Sequence, residues 1–406
     1  MSEVAQWSRE VPVPSGRLIT GALALGGPVA YGVAAGQLAH ASFAALGALA
    51  IGNLANPRGQ AARAARAAGV AQVAGGWAVG LVVTGAAVGG VWLGGRAFGG
   101  GVGVVLLAAV AAVIGGFNRW LADATARFIT FLVMATGLGG ADVWEVARWF
   151  SLGVLWAFLL TLAARTLGSR LLTTAPFTAG PLAADVSSAG PFTAGPLVAG
   201  VLAAGPLAAA PSTAGPFAAD PLADEPLAVD QVAGRLAARV APTYRQLWQR
   251  WWGSLRRLEG WRYAINLVPP LAIATAIGGW WHHERSYWIA LAVVIVVRRR
   301  GDSLLRATQR CLGTCAGVLI GAALILWVPP SWAIVAVVTV LAGLRPLLKE
   351  RNYAAYAMIM TPLVVLLLDL GRTPDLSTIG YRLIDTVLGC LLAIIPTLVL
   401  RRRDVA

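Results

Sequence analysis

The chain has 406 residues, 58% of them hydrophobic and 12% charged, with a mean hydropathy of +0.71 and a formal net charge of +14. A soluble domain carries about 25% charge, and a globule this apolar would not stay in water, so the composition excludes a soluble enzyme and reads as a polytopic membrane protein. Topology then accounts for the surplus positive charge, and no nucleic-acid partner is expected.

The N-terminus, residues 1–17, is polar and carries Glu3 and Glu10, unlike the basic start of a signal peptide. Apolar segments follow near Leu18–Gly36, His40–Ala55, Gly69–Gly90, Gly100–Phe117, Ala124–Gly139 and Ala147–Leu167. A second set lies near Tyr263–Trp281, Tyr287–Val297, Leu312–Val328, Trp332–Leu347, Tyr353–Leu370 and Ile379–Leu400. Several are shorter than the ~20 residues of a perpendicular span, so the helices must extend into the flanking arginine-bearing loops or the bilayer must thin.

Charge orients the segments. Loops after even-numbered segments carry Arg58, Arg63 and Arg66; Arg119 and Arg127; Arg165 and Arg170; Arg298–Arg300, Arg306 and Arg310; Arg345, Lys349 and Arg351; and Arg401–Arg403. Loops after odd-numbered segments are nearly bare or mixed. Twelve spans with both termini and the middle in the cytoplasm satisfy every loop. This gives a first membrane half over residues 18–172, a second over 263–400 and a cytoplasmic tail over 401–406. The expected fold class is all-α, with about twelve transmembrane helices as two parallel six-helix repeats. A fixed offset supports the repeat, aligning Pro28 with Pro270, Gly36 with Gly278, His40 with His282, Arg58 with Arg300 and Gly75 with Gly317. Both halves begin inside, which makes the repeat parallel.

Between the halves, residues 173–230 form a low-complexity stretch in which Gly-Pro recurs at Gly180, Gly190, Gly195, Gly205 and Gly215. Proline at this density blocks helix interiors, so a disordered cytoplasmic linker is expected; a partner-binding repeat is the alternative. Residues 231–262 then place Leu236, Val240, Tyr244, Leu247, Trp248, Trp251, Trp252, Leu255 and Leu258 on one face and Arg245, Arg250, Arg256 and Arg257 on the other. That pattern reads as a basic amphipathic helix at the inner membrane surface.

The residues with chemical potential cluster in the second half. Arg299, Arg306 and Arg310 share a helix face, with Asp302 one turn before Arg306. Gly313, Gly317 and Gly321 follow at intervals of four, the small-residue spacing that lets helices approach closely. An arginine row above a close crossing suits the inner mouth of an anion pathway; the plainer reading is a positive-inside anchor above a packing seam. Asp385 lies inside the last apolar segment, where an acid usually faces the bundle interior and marks a pathway or proton relay. Arg382, three residues earlier, can pair with it. His282 and His283 sit beside Trp280, Trp281, Tyr287 and Trp288, an interfacial aromatic belt. Cys311, Cys315 and Cys390 lack metal-ligand spacing, the phosphate-cradling motif is absent, and no catalytic arrangement stands out. No enzyme, cofactor or metal is expected.

On these residues the second half resembles the FUSC family, the fusaric-acid-resistance-like and aromatic-acid-exporter membrane proteins. The resemblance runs through Tyr287-Trp288, the Arg306 to Thr314 stretch with its R-x-x-x-R-x-x-G-T pattern, Arg351-Asn352-Tyr353, Thr361-Pro362, and Arg382-x-x-Asp385-Thr386-x-x-Gly389. It covers about Tyr263 to Leu400; the first half keeps Arg63 and Arg66 but has Ala71-Gln72 in place of the Gly-Thr pair. The resemblance implies a proton-coupled exporter of aromatic or other amphipathic organic acids in a bacterial plasma membrane. Arg306, Arg310, Gly313, Thr314, Gly317, Asn352 and Tyr353 would line the substrate pathway, and Arg382 with Asp385 would couple it to protons. The expected partners are a small organic anion and the lipid bilayer, with a homo-oligomer left open. A passive organic-anion channel of the same fold and a non-transporting membrane scaffold are the alternatives.

Overall fold

A computed structural model describes residues 15–51, 69–174, 244–281, 287–297, 303–327, 331–368, 370 and 376–405. The chain divides into two compact units, Met1–Ser169 with Tyr244–Ala406, and Arg170–Thr243. Among the described residues of the first unit the secondary structure is helical throughout, in keeping with the expected all-α class. The second unit contributes only the last turn of one helix to the described residues, so the expected Gly-Pro linker lies outside them.

The helices of the first half are α1 (Ser15–Ala35), α2 (Leu38–Ile51), α3 (Gly69–Gly94), α4 (Ala97–Ile114), α5 (Arg119–Thr136) and α6 (Val143–Thr174). A short α7 (Tyr244–Leu255) precedes α8 (Leu258–Trp280), α9 (Tyr287–Val296), α10 (Ser303–Trp327), α11 (Ser331–Arg351), α12 (Tyr353–Leu368) and α13 (Leu376–Val405). Six of them contain stretches long and apolar enough to cross a membrane: Ser15–Ala35, Gly75–Gly94, Val143–Ala164, Gly260–Trp280, Leu304–Leu324 and Ser331–Arg351. Leu38–Ile51, Gly100–Ile114, Tyr287–Val296 and Tyr353–Leu368 are apolar but shorter.

Helix bounds among the described residues bear on three of the sequence expectations. Helices do extend into the arginine-bearing stretches: α10 takes in Arg306 and Arg310, and α11 runs through Arg345 and Lys349 to Arg351. These are helical positions, not loop positions, and Arg345 is 1% exposed. The stretch expected as one basic amphipathic helix, residues 231–262, lies partly outside the described residues. Among them its helix spans Tyr244–Leu255 and stops where Arg257 adopts an extended backbone (φ −112°, ψ 151°) ahead of α8. The Trp261 indole N–H donates to the Leu255 carbonyl at 2.8 Å, satisfying one of the acceptors that the helix end leaves open. Third, α13 continues as helix through Val405, into the stretch expected as a tail.

Close helix packing is made by small residues. Added side chains at Gly47 and Gly153 would run into the Phe150 and Ala44 carbonyls, which fixes α2 against α6. In α1, Gly21 faces α11, where an added methyl would lie 3.0 Å from the Ala342 oxygen and 3.3 Å from the Pro346 ring. On α10, a methyl at Gly317 would meet the Met358 oxygen of α12 at 2.5 Å. Both carbonyls stand four residues before a helix-interior proline, Pro346 and Pro362. Proline has no N–H to donate to residue i−4, so each glycine is seated over a carbonyl released from its own helix.

Packing pairs recur between the halves. Helix α3 lies on α5, as α10 lies on α12; α1 lies on α2, as α8 lies on α9; and α4 lies on α5, as α11 lies on α12. Contacts across the halves also come in pairs, with α1 on α11 and α4 on α8, and α5 on α9 and α2 on α12. Arg17 and Glu350 tie the base of α1 to the end of α11 through a 2.8 Å ion pair.

Gly153→Leu is expected to lower the thermal melting point of the detergent-solubilised protein, since forcing a side chain into a closed backbone contact costs about 3 kcal/mol or more. Gly85→Ala, where nothing lies within 4 Å of the added methyl, is expected to leave the melting point unchanged or raise it. Comparing the two melting curves separates packing from a general intolerance of substitution.

Candidate functional site

Helix α10 presents Arg306, Arg310, Gly313, Thr314 and Gly317 toward α12. Spacings of three and four put these residues on one side of the helix. Gly313 and Gly317 provide the approach: an added side chain at Gly313 would run into the Ala354 carbonyl, and at Gly317 into Met358 and Thr361. Helix α12 starts at Asn352, whose side-chain oxygen accepts from the Ala355 N–H at 3.1 Å. Asn352 is thus an N-cap, and its buried amide orients the first turn of α12 beside the arginines.

The arginines are held in different ways. The Arg306 guanidinium lies over the Tyr353 ring, 3.5 Å from its centroid, and Tyr353 in turn stacks on Tyr356 at 5.8 Å and 30°. Arg310 is 6% exposed, and its Nε has no hydrogen-bond partner among the described residues. One turn further on, Thr314 is 0% exposed with an unpartnered hydroxyl. The neighbouring threonines behave differently: Thr308, Thr361 and Thr386 each donate to the carbonyl four residues back, at 2.6, 3.0 and 2.8 Å, the usual way a buried hydroxyl is satisfied in an apolar helix.

Two further arginines, not among the expected site residues, sit nearby on α11 and α5. Arg345 of α11 lies within electrostatic range of Tyr356 and Arg127; Tyr356 is also in range of Arg306, Arg310 and Tyr353. Arg127 of α5 donates from Nη1 to the Ala50 carbonyl at 3.1 Å and has Asp123 nearby. Tyr356 thus feels guanidiniums of both α10 and α11. Hydropathy counting hid both arginines among loop charges. One signal was available for Arg345: with Val338 and Ala342 it continues a buried stripe at spacings of four and three.

The expected coupling pair is buried on α13, with Arg382 3% and Asp385 0% exposed. The Arg382 guanidinium lies 3.0 Å above the centroid of the buried Trp288 ring on α9. Gly389 allows that contact, since an added methyl there would meet the Ile289 oxygen at 2.5 Å. Helix α13 packs on both α9 and α10, which brings the Arg382 face beside the helix carrying Arg310. Arg299, Asp302, His282 and His283 lie outside the described residues. Gly321 is buried in α10.

Residues 272–395 match the family described as fusaric acid resistance protein-like. The second half carries a fusaric acid resistance protein-like region. Its match takes in the motif residues on which the sequence resemblance rests, Arg306 to Thr314, Asn352, Tyr353, Arg382 and Asp385, and also Arg345, which the resemblance did not include. Among similar proteins, the uncharacterized protein YhfK of Escherichia coli K12 is 33% identical over 135 residues, 32% of this chain and 19% of that one. The uncharacterized membrane protein YvaC of Bacillus subtilis 168 is 29% identical over 158 residues, 37% of this chain and 24% of that one. An uncharacterized Haemophilus influenzae protein is 27% identical over 129 residues, 32% of this chain and 18% of that one. The chain thus matches about a quarter or less of each relative's length. No solved structure matches. With the fusaric acid resistance protein-like region and six span-length helices, the protein is a multi-pass membrane protein.

A double-mutant cycle of Arg382→Met and Trp288→Leu is expected to give a coupling energy of about 2 kcal/mol, the upper range for a desolvated cation–π pair. Melting of the four proteins in detergent measures it. Additive losses would show that the ring does not hold the guanidinium.

Proposed function

We propose that the protein is a transporter of organic anions, an exporter of aromatic or other amphipathic acids, whose pathway passes the α10–α12 crossing. The observation that carries the reading is Arg310, a residue 6% exposed with an unpartnered Nε among the described residues, on the stretch of α10 between Arg306, which lies over Tyr353, and Gly313, which meets Ala354 in the first turn of α12. A helix N-terminus favours negative charge, and an uncompensated buried cation does so more strongly. Tyr353 and Tyr356 offer ring faces beside the charge, which suits an aromatic carboxylate. The matched family's description supports the transport class.

On this reading the recurring packing pairs reflect two parallel six-helix repeats, with the six shorter or more polar helices completing twelve spans. Exchange of α1 onto α11 and of α4 onto α8 is what a pseudo-twofold relation between the halves would give. The arginine end of α10 faces the cytoplasm of a bacterial plasma membrane, with both termini on the same side by the positive-inside rule. Buried Asp385, on a helix packed against α10, is the group that would take up a proton from the far side. A channel of the same fold would use the arginines alone, with Asp385 serving structure.

In proteoliposomes, radiolabelled benzoate uptake is expected to follow an imposed pH gradient at clamped voltage. Arg310→Gln is expected to reduce uptake at least about tenfold, the loss of one charge-assisted hydrogen bond. Uptake that follows voltage and ignores the pH gradient would sink the exporter reading in favour of the channel. Full uptake by Arg310→Gln would leave the arginine row a membrane anchor.

A further inference from the structure

We infer that α7 and the end of α4 form a seat for one anionic phospholipid, with its acyl chain along an exposed strip of α4 and its phosphate between two arginines of the α7 segment. The inference goes beyond the transport reading and does not rest on it.

The apolar part of the seat is on α4. Val102, Leu106, Val110 and Ile114 recur every four residues, which keeps them on one side of the helix, and all four are exposed. A contiguous apolar strip of this kind marks contact with another apolar body, which for a multi-pass membrane protein is the hydrocarbon of the bilayer. Phe117 carries the strip past the helix end, its N–H bonded to the Ile114 carbonyl at 3.0 Å. There the strip meets α7. The Phe117 ring lies 6.2 Å from Trp248 and, edge-on, 5.9 Å from Trp251. The Trp251 indole N–H donates to the Val113 carbonyl at 3.3 Å.

Those contacts fix which face of α7 looks outward. With Trp251 turned in, Trp248 and Trp252 are left half exposed, one helical turn apart and stacked at 6.2 Å and 9°. Arg245 precedes Trp248 by three residues and Arg256 follows Trp252 by four, so helical spacing puts a guanidinium at each end of the stack. Arg256 is in the turn after α7, yet its N–H still bonds to the Trp252 carbonyl at 3.3 Å. Both arginines are exposed, as are Arg250, Arg257 and Arg262 in the same stretch. Helix α7 holds no acidic residue, and none of the five arginines is in an ion pair among the described residues. The surface therefore offers apolar length, then indole faces, then positive charge. A phospholipid presents acyl chain, glycerol and phosphate in that order, and indoles settle at the headgroup level. A soluble phosphate or an acidic protein would match the arginines but not the strip that leads into them; a guanidinium fork meets a phosphodiester in the same bidentate way as either. Continuity of strip and charge is what selects a lipid.

The test uses the full chain in detergent, titrated with dioleoylphosphatidylglycerol or dioleoylphosphatidylcholine and read by native mass spectrometry, which counts the lipids retained. The wild type is expected to hold one phosphatidylglycerol at concentrations where phosphatidylcholine is lost. Arg245→Gln combined with Arg256→Gln is expected to weaken that retention about thirtyfold, the effect of two basic residues beside an anionic headgroup. Because both side chains are exposed, the melting point of this variant is expected to stay at the wild-type value. Glycerol phosphate, a headgroup without acyl chains, is expected not to displace the lipid. As a control, Arg96→Gln with Arg148→Gln removes the same charge from exposed arginines at the start of α4 and on α6, and is expected to retain the lipid like the wild type.

Equal retention of the two lipids would overturn the seat, since the bilayer would then be only a solvent for this surface. Unchanged retention in the Arg245→Gln, Arg256→Gln protein would overturn it as well. So would an equal loss in the control variant, which would make net charge the only requirement. Displacement by glycerol phosphate would replace the lipid with a soluble phosphate compound. None of these readouts involves flux, so the seat and the transport reading stand or fall separately.

Discussion

A guanidinium taken into an apolar bundle must find an anion, a ring face or a carbonyl, and the second half of this protein is arranged around that demand. Arg382 and Arg306 find rings, Trp288 and Tyr353, each with the charge over the aromatic centre. Arg127 reaches the open end of α2 at Ala50. Such contacts work only if the helices stand close enough for a ring on one to meet a charge on the next. The glycines on α10 and α13 supply that closeness, Gly317 against α12 and Gly389 against α9. Packing and electrostatics are therefore one problem here: lengthen Gly389 and Trp288 leaves Arg382 behind.

The aromatic side chains divide along the same lines. Trp288 is 3% exposed and serves a buried cation. On α7 the tryptophans are outward: Trp248 and Trp252 stack on each other, half exposed, while the Trp251 indole reaches the Val113 carbonyl at the end of α4. With Phe117 they form a small aromatic platform beside exposed Arg245 and Arg250. Rings with one wet edge and one apolar face belong at a membrane interface, which is where a short amphipathic helix leading into a span would place them.

Much of this was legible in the sequence. Apolar run lengths located most of the described spans within about five residues, because hydrocarbon tolerates backbone only when it is internally hydrogen-bonded, although α10 begins nine residues before its run and α6 ends seven after its own. The four-residue spacing of Gly313 and Gly317 announced a close crossing, and Arg382 and Asp385 were expected at depth and are buried. The role of Asn352 as an N-cap was missed, although Asn directly before a long apolar run is a standard helix start. Arg345 was missed for a deeper reason. A charge count assigns every arginine near a span end to water, whereas burial depends on which neighbour covers that face. Part of α11 is covered by α1, more than three hundred positions away in the chain, as the Arg17–Glu350 pair also shows. Nothing local encodes that contact.

The proline-released carbonyls have a mechanical meaning. At most places along a helix, bending stretches a hydrogen bond, and the energy lost resists the bend. Ala342 and Met358 have no such bond to lose, since the residue four positions on is proline. The points where α1 grips α11 and α10 grips α12 are thus the points where α11 and α12 flex most cheaply. Arg345 lies one residue before Pro346, on the soft turn of α11. A small change of angle there would swing the guanidinium while the glycine contact to α1 stays in place, so the protein has a pivot that leaves its tightest joint intact.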